Sequence, residues 1–306
     1  MNTVESLRGL IDIQLLCNAF WVRAARLQGR RHPAIDQYII DALISATPGV
    51  NAVADRLLTV VQMGEAVRQA IVEIAGDTSG SLPEAARFVL TDEVLRQVQN
   101  GAEVRLFTGA GGPERREILS GLKQLAQAAA QSSSLDAFDD KALHAMTDGL
   151  AALAGVPGLG LSLDTALEAA GKHLDAAKTV RFGTPDKTAP QPVLVNSPCI
   201  VVSGADFQVL EDVLVQTFQR GISVYTHGAL AVAHRYPGFR QFEHLTGHVA
   251  VLPDQAVVVL CLGFEAASLK TSSARLFTTG LLALPGVTHV ADKAYREVIS
   301  GVLNDK

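Results

Sequence analysis

A chain of 306 residues that is 48% hydrophobic and 19% charged carries enough apolar side chain to bury a core in each of two domains. Its formal net charge of −5, with no basic run, argues against non-specific nucleic-acid binding, which draws on a basic face to release counterions from phosphates. Its apolar runs are too short to cross a bilayer and its first residues carry no secretory-leader pattern, so no membrane contact is expected and the expected compartment is the cytoplasm.

In chain order, residues 4–26 place Leu7, Leu10, Ile13, Leu16 and Phe20 at three- and four-residue steps, which predicts a packed helix. His32-Pro33 interrupts it. Residues 35–46 and 53–74 predict two more helices, the first stopped at Pro48-Gly49 and the second running through Gly64. The pattern returns at 114–130, 139–154 and 163–177, and ALISATPGV near residue 42 is echoed by LAALAGVPGL near residue 150. An internal duplication with a period of roughly 108 residues accounts for both, so two three-helix repeats, 4–75 and 114–178, are expected in one helical domain, 1–183. The glycine-rich stretch 107–113 lacks the Lys-Ser/Thr of a P-loop and reads as a connector, as do 131–134 and 184–191. Pro185, Pro190 and Pro192 make the last of these the expected domain boundary.

Residues 192–306 predict a Rossmann-like parallel α/β domain, so the fold class is α plus α/β. Residues 199–202 form an apolar, β-branched strand that stops at Ser203-Gly204. Phe207, Leu210, Leu214 and Phe218 then fall at helical spacing, with Asp206 at the start and Gly221 at the end. A second strand, 222–225, is closed by Thr226-His227-Gly228, and further strands are expected at 248–252 and 257–262, with an amphipathic helix at 292–303. Ligands of such sheets sit where strands turn into helices, which makes Ser203-Gly204-Ala205 and Thr226-His227-Gly228-Ala229 the candidate turns.

Three other constellations have plainer readings. Ser203, His227 and Asp206 would compose a nucleophilic triad, but no Gly-x-Ser-x-Gly elbow is present, so Ser203 reads as a turn residue bonded to its own backbone and Asp206 as a helix-start residue. Glu243-His244 with His248 has chelating spacing on a helix, against which Gly247 argues. Cys17, Cys199 and Cys261 lie far apart in apolar contexts and read as buried, inert thiols; three cannot complete a four-cysteine iron–sulfur cluster within one chain.

SGADFQVLEDVL, GISVYTHGALAVAH and RYPGFRQFEHLTG, together with IDQYIIDALISATPGVN and LFTTGLLALPGVTHV, resemble the hybrid cluster proteins. These are also called prismane proteins or hydroxylamine reductases and are relatives of nickel carbon monoxide dehydrogenase. The resemblance implies paired three-helix bundles ahead of the α/β domain, and reduction of hydroxylamine or nitric oxide at a hybrid iron–sulfur–oxygen cluster. In the family the two turns read Gly-His-Asp and Thr-His-Gly-Glu, the latter with Pro-Ala-His close behind, and their His and Glu ligate the cluster. Here those positions are Ala205 and Ala229. A cysteine ligand of the family aligns with Phe264 on counting back from Phe277, or with Cys261 after a three-residue slip; Phe264 is favoured. His227, His234, His244 and His289 fall where the family tends to carry structural or supporting histidines, which leaves His248 without a family counterpart. Residues 1–5 hold no cysteine for the family's cubane cluster, and the cysteine and glutamate ligands of its third domain are not in the sequence up to Lys306.

On this resemblance Gly204, Ala205, His227, Gly228, Ala229, Cys261 and Phe264 form a vestigial cluster pocket, with no catalytic residue, no metal ligand and no cofactor expected. The expected role is a non-catalytic accessory or protein-binding subunit, self-associated or bound to another redox protein because a sheet edge and apolar faces would otherwise stand open. The alternative is an oxidoreductase whose cluster ligands are completed by another chain. A third reading puts a different small ligand, or the Phe264 ring, in the vacated space.

Overall fold

The computed structural model describes residues 3–76, 82–100, 113–156, 159, 162–187, 193, 199–253, 256–264, 274–291 and 294–304. Residues 107–112 of the glycine-rich stretch, and Pro190 and Pro192 of the expected boundary, lie outside them. The chain forms two compact units: Met1–Ala130 with Phe138–His173, and Gln131–Ala137 with Leu174–Lys306.

The first unit is helical. Its elements are α1 (Thr3–Leu27), α2 (Pro33–Ser45), α3 (Ala54–Ala75), α4 (Asp92–Gln99), all but the last turn of α5 (Pro113–Ser134), α6 (Asp140–Leu153) and the start of α7 (Leu163–Phe182), with a 3-10 turn at Glu84–Arg87. A long, a short and a long helix occur in that order twice, as α1–α3 and α5–α7. Pro33 opens α2 at a position where its missing N–H costs nothing. Thr91 and Asp139 cap α4 and α6 by accepting from Val94 N and Ala142 N. α4 lies outside the helices expected from apolar periodicity, although Thr91-Asp92-Glu93 is a readable helix start. Residues 131–134, expected as a loop, are instead the last turn of α5; the chain turns only at Ser132–Ala137, where Leu135 N and Ala137 N donate to Ser132 O.

α1 is buried on nearly every side, with Leu10, Ile11, Leu15 and Ala19 fully enclosed, because it packs against both α3 and α6. Its interior polar residues are used to place α3: Gln14 Nε2 donates to Val61 O at 2.9 Å and Asn18 Nδ2 to Gly64 O at 3.0 Å. A Cβ at Gly64 would stand 2.4 Å from Tyr38 Oη, so the close approach of α3 to α1 and α2 depends on that glycine.

The second unit is built on a six-stranded, all-parallel sheet. In chain order it runs β1 (Cys199–Ser203), α8 (Phe207–Thr217), β2 (Ser223–His227), a 3-10 segment (Gly228–Arg235), α9 (Pro237–Arg240), β3 (Leu245–Val249), β4 (Val257–Leu260), β5 (Arg275–Thr279), β6 (Thr288–Val290) and α10 (Arg296–Asn304). The strand order is β3-β2-β1-β4-β5-β6. The third strand begins before the expected 248–252, because Leu245 pairs with Val224 and a bulge then brings Gly247 opposite Tyr225.

Strands buried on both faces need nearly continuous apolar runs, and CIVVS and VVVL supply them. Ile200, Val202, Val224, Val257 and Val259 share one core with Leu210, Val213 and Leu214 of α8 and with Val298, Ile299 and Val302 of α10. Val201, Tyr225, Val258 and Leu260 form the other core, with Leu252 and Leu282. The chain leaves β1 toward β2 and β3, then returns to the far side of β1 for β4. In such sheets the reversal leaves a crevice outside the carboxyl ends of the strands.

Candidate functional site

The crevice is present. A cleft of about 510 Å³ opens at the carboxyl edge of the sheet, lined by Ser203 and Gly204 after β1 and by His227, Gly228 and Ala229 after β2. His248, Val249 and Ala250 contribute from β3, and Gly263 and Phe264 from the loop after β4. Gly204 brings these elements together. Its φ is +143°, and a Cβ there would meet Cys261 Sγ at 2.5 Å and Cys261 O at 2.7 Å, so β1 can turn against the β4 loop only with bare backbone. Ala205 N fixes the same approach by donating to Leu262 O at 2.8 Å.

The polar groups are paired with one another. Ser203 Oγ and His227 Nδ1 lie 2.7 Å apart, Thr226 Oγ1 and His234 Nε2 2.9 Å, and Thr226 Oγ1 and His248 Nδ1 3.3 Å. Ser203 therefore bonds the His227 ring, and not its own backbone as expected. Asp206 Oδ1 caps α8, accepting from Gln208 N at 2.9 Å and Val209 N at 3.3 Å. Burial pushes the pKa of His234 below the usual histidine value, helped by the neighbouring His248, and burial also lowers His248 itself.

The seven residues expected to form the pocket separate into two groups. Gly204, His227, Gly228, Ala229 and Phe264 line the cleft. Ala205 instead packs on Gly263, where an added Cβ would come within 2.5 Å of its own. Cys261 is fully buried behind Gly204; its thiol donates to Ser203 O at 3.4 Å and burial raises its pKa to about 12. Phe264 forms part of the wall and packs against the second core, leaving the cleft open instead of filling it. Val249, Ala250 and Gly263 were not foreseen. His248, expected either as a chelating partner of His244 or as a histidine without a family counterpart, takes its place because β3 ends at the cleft.

His244 and His248 do not share a helix face, because Leu245–Val249 is a strand; His244 Nε2 lies 3.0 Å from Thr217 Oγ1 and 3.1 Å from Leu214 O. Among the described residues no three His, Cys, Asp or Glu side chains come together as a metal site, and no helix is long and apolar enough to cross a membrane.

A two-unit architecture, helical triplets ahead of a parallel sheet wound in both directions from its first strand, defines the class: an α plus α/β protein with a cleft at the carboxyl ends of the strands. The Prismane/CO dehydrogenase family model matches residues 8–304, and the chain belongs to that family. It is similar to the hydroxylamine reductase of Acidiphilium cryptum, with 32% identity over 312 residues covering 90% of this chain and 55% of that protein. With the hydroxylamine reductase of Kosmotoga olearia the identity is 28% over 303 residues, covering 90% and 54%, and with that of Desulfitobacterium hafniense 28% over 289 residues, covering 87% and 52%. The chain thus spans about half the length of the curated relatives it matches.

The family's hybrid cluster is held by thiolates, carboxylates and imidazole, and this cleft offers a different donor set. Among the described residues its wall carries one hydroxyl and two imidazoles, with no carboxylate and no thiol. The nearest thiol is protonated at neutral pH and directed at a backbone carbonyl. Soft iron–sulfur chemistry has little to grip here, and the residues present do not fit the cluster.

Proposed function

We propose that this chain is a cluster-free member of its family, acting as a binding or accessory module and not as a reductase. One observation carries the reading: alanines stand at the two turn positions, and the one cysteine nearby is sealed behind Gly204 with its thiol engaged by Ser203 O. The fold is retained while the groups that would grip iron are replaced by side chains without donor atoms. Expression under anaerobic conditions with iron and sulfide supplied, followed by metal and acid-labile sulfide analysis and a visible spectrum, tests it. A colourless protein without stoichiometric iron is expected. Iron at one or more atoms per chain, abolished by Cys261→Ala, overturns it.

The printed names of the relatives favour a second reading, in which the chain takes part in hydroxylamine reduction with the missing ligands supplied by another chain. Reconstitution with a ligand-bearing family member separates the two: hydroxylamine turnover that requires both chains supports the second. Under the first reading the chain works in the cytoplasm, as a homo-oligomer or bound to another redox protein. The mass in solution checks this, and a monomer with no co-purifying partner would count against it.

A further inference from the structure

We infer that the cleft at the carboxyl edge of the sheet binds an uncharged heteroaromatic ring ligand of nucleoside size. The inference rests on the cluster-free reading, since a cluster would occupy the same space. Size comes first: about 510 Å³ is in the range of pockets that enclose a small organic molecule, and several times what ordered water alone requires.

Charge selects next. Among the described residues, none of the ten that line the cleft is Asp, Glu, Lys or Arg. A charged ligand entering this wall would lose water without gaining a counter-charge, which is costly. The start of α8, where a sheet of this order often receives a phosphate, is taken: Asp206 Oδ1 already accepts from the N–H groups of Gln208 and Val209 and sets a carboxylate there. A phosphate would meet like charge at that point, so the ligand is a nucleoside and not a nucleotide.

Shape and polarity fit a flat ring. Of the three glycines on the wall, Gly204 and Gly263 turn the space of their missing Cβ onto Cys261 and Ala205, and Gly228, at φ +69° with no atom nearer than 3.7 Å to an added Cβ, leaves bare peptide at the cleft. Phe264 supplies an aromatic wall. With Ser203 Oγ joined to His227 Nδ1 and His248 Nδ1 to Thr226 Oγ1, a second lone pair on Ser203 Oγ and the Nε2 of His248 can still meet a ring edge that carries nitrogen and carbonyl or amino groups.

Calorimetric titration of the full chain with adenosine, and with AMP as the charged comparator, tests this on a sample whose iron content is measured in parallel. Adenosine is expected to bind with AMP about tenfold or more weaker. Phe264→Ala should weaken adenosine by about tenfold. Ala229→Trp, at an exposed position on the rim, should abolish binding while leaving the thermal melting curve unchanged. AMP binding as well as adenosine, adenosine failing to bind an iron-free sample, or undiminished binding to folded Ala229→Trp would each overturn the ligand assignment and leave the cluster-free reading standing. Stoichiometric iron would overturn both.

Discussion

The buried polar groups of the helical unit and those of the sheet's carboxyl edge are handled in opposite ways. Besides neutral side chains such as Gln14 and Asn18, the helical unit buries charges held by opposite charges: Arg26 and Asp36 meet at 3.0 Å with side chains 5% and 4% exposed, and Lys123 meets Asp12 at 3.1 Å while donating to Ala46 O. At the sheet edge they are hydroxyls and imidazoles bonded to one another, with no carboxylate, lysine or arginine among the described groups of the network. A buried ion pair fixes one arrangement, because losing either partner leaves a desolvated charge. A network of hydroxyls and imidazoles costs less to rearrange, which suits the ligand site proposed above. The helical unit is built for definition and the edge for accommodation.

The sharpest way to break this contrast is to remove one member of an ion pair. Asp36→Ala should destabilise the protein by about 3–5 kcal/mol by stranding Arg26, measured as a lowered denaturation midpoint. Arg26→Met combined with Asp36→Leu should recover most of that loss, which would separate the cost of an orphaned charge from the worth of the pair. At the edge, Gly204→Ala drives a Cβ into Cys261 at a positive φ and should cost about 2–3 kcal/mol, read the same way. Ser203→Ala, which leaves His227 Nδ1 without its 2.7 Å partner, should cost only about 1–2 kcal/mol.

The smallest effect is on pH dependence, where the two regions should differ in sign. Burial lowers His234, His244 and His248 below 6.5, so the unfolded chain binds more protons than the folded one. Their contribution to stability is present above pH 6.5 and is lost as the pH falls through the depressed folded values. Asp12 and Asp41 are raised by burial above 3.8, so their penalty is in force above their folded values and is relieved on further acidification. Denaturation midpoints should therefore drop from pH 7 to 5, and replacing His248 with Gln should flatten that slope.

Much of this was legible in the residues. The helical periods, the βαβ step at residues 199–227 and the glycine turns depend on local spacing, and the structure holds elements there with ends moved by a few residues. Family motifs were recognisable for the same reason, since SGAD and THGA are contiguous in sequence. Less visible was α5 continuing through Gln131–Ser134: polar, small residues read as loop, but a helix already nucleated carries them at little cost.

By itself the sequence determined the fold class, the family and the absence of donor atoms at Ala205, Ala229 and Phe264, because each is a property of single residues or of short-range spacing. Only the tertiary structure decided which side chains share the cleft: that His248 joins Ser203 and His227, that Ala205 turns away onto Gly263, and that Cys261 is sealed behind Gly204. Those relations are set by the parallel register that aligns Ser203 with His227 and with Leu260, between strands far apart in the chain. No local pattern encodes that alignment; it follows from packing both faces of the sheet at once.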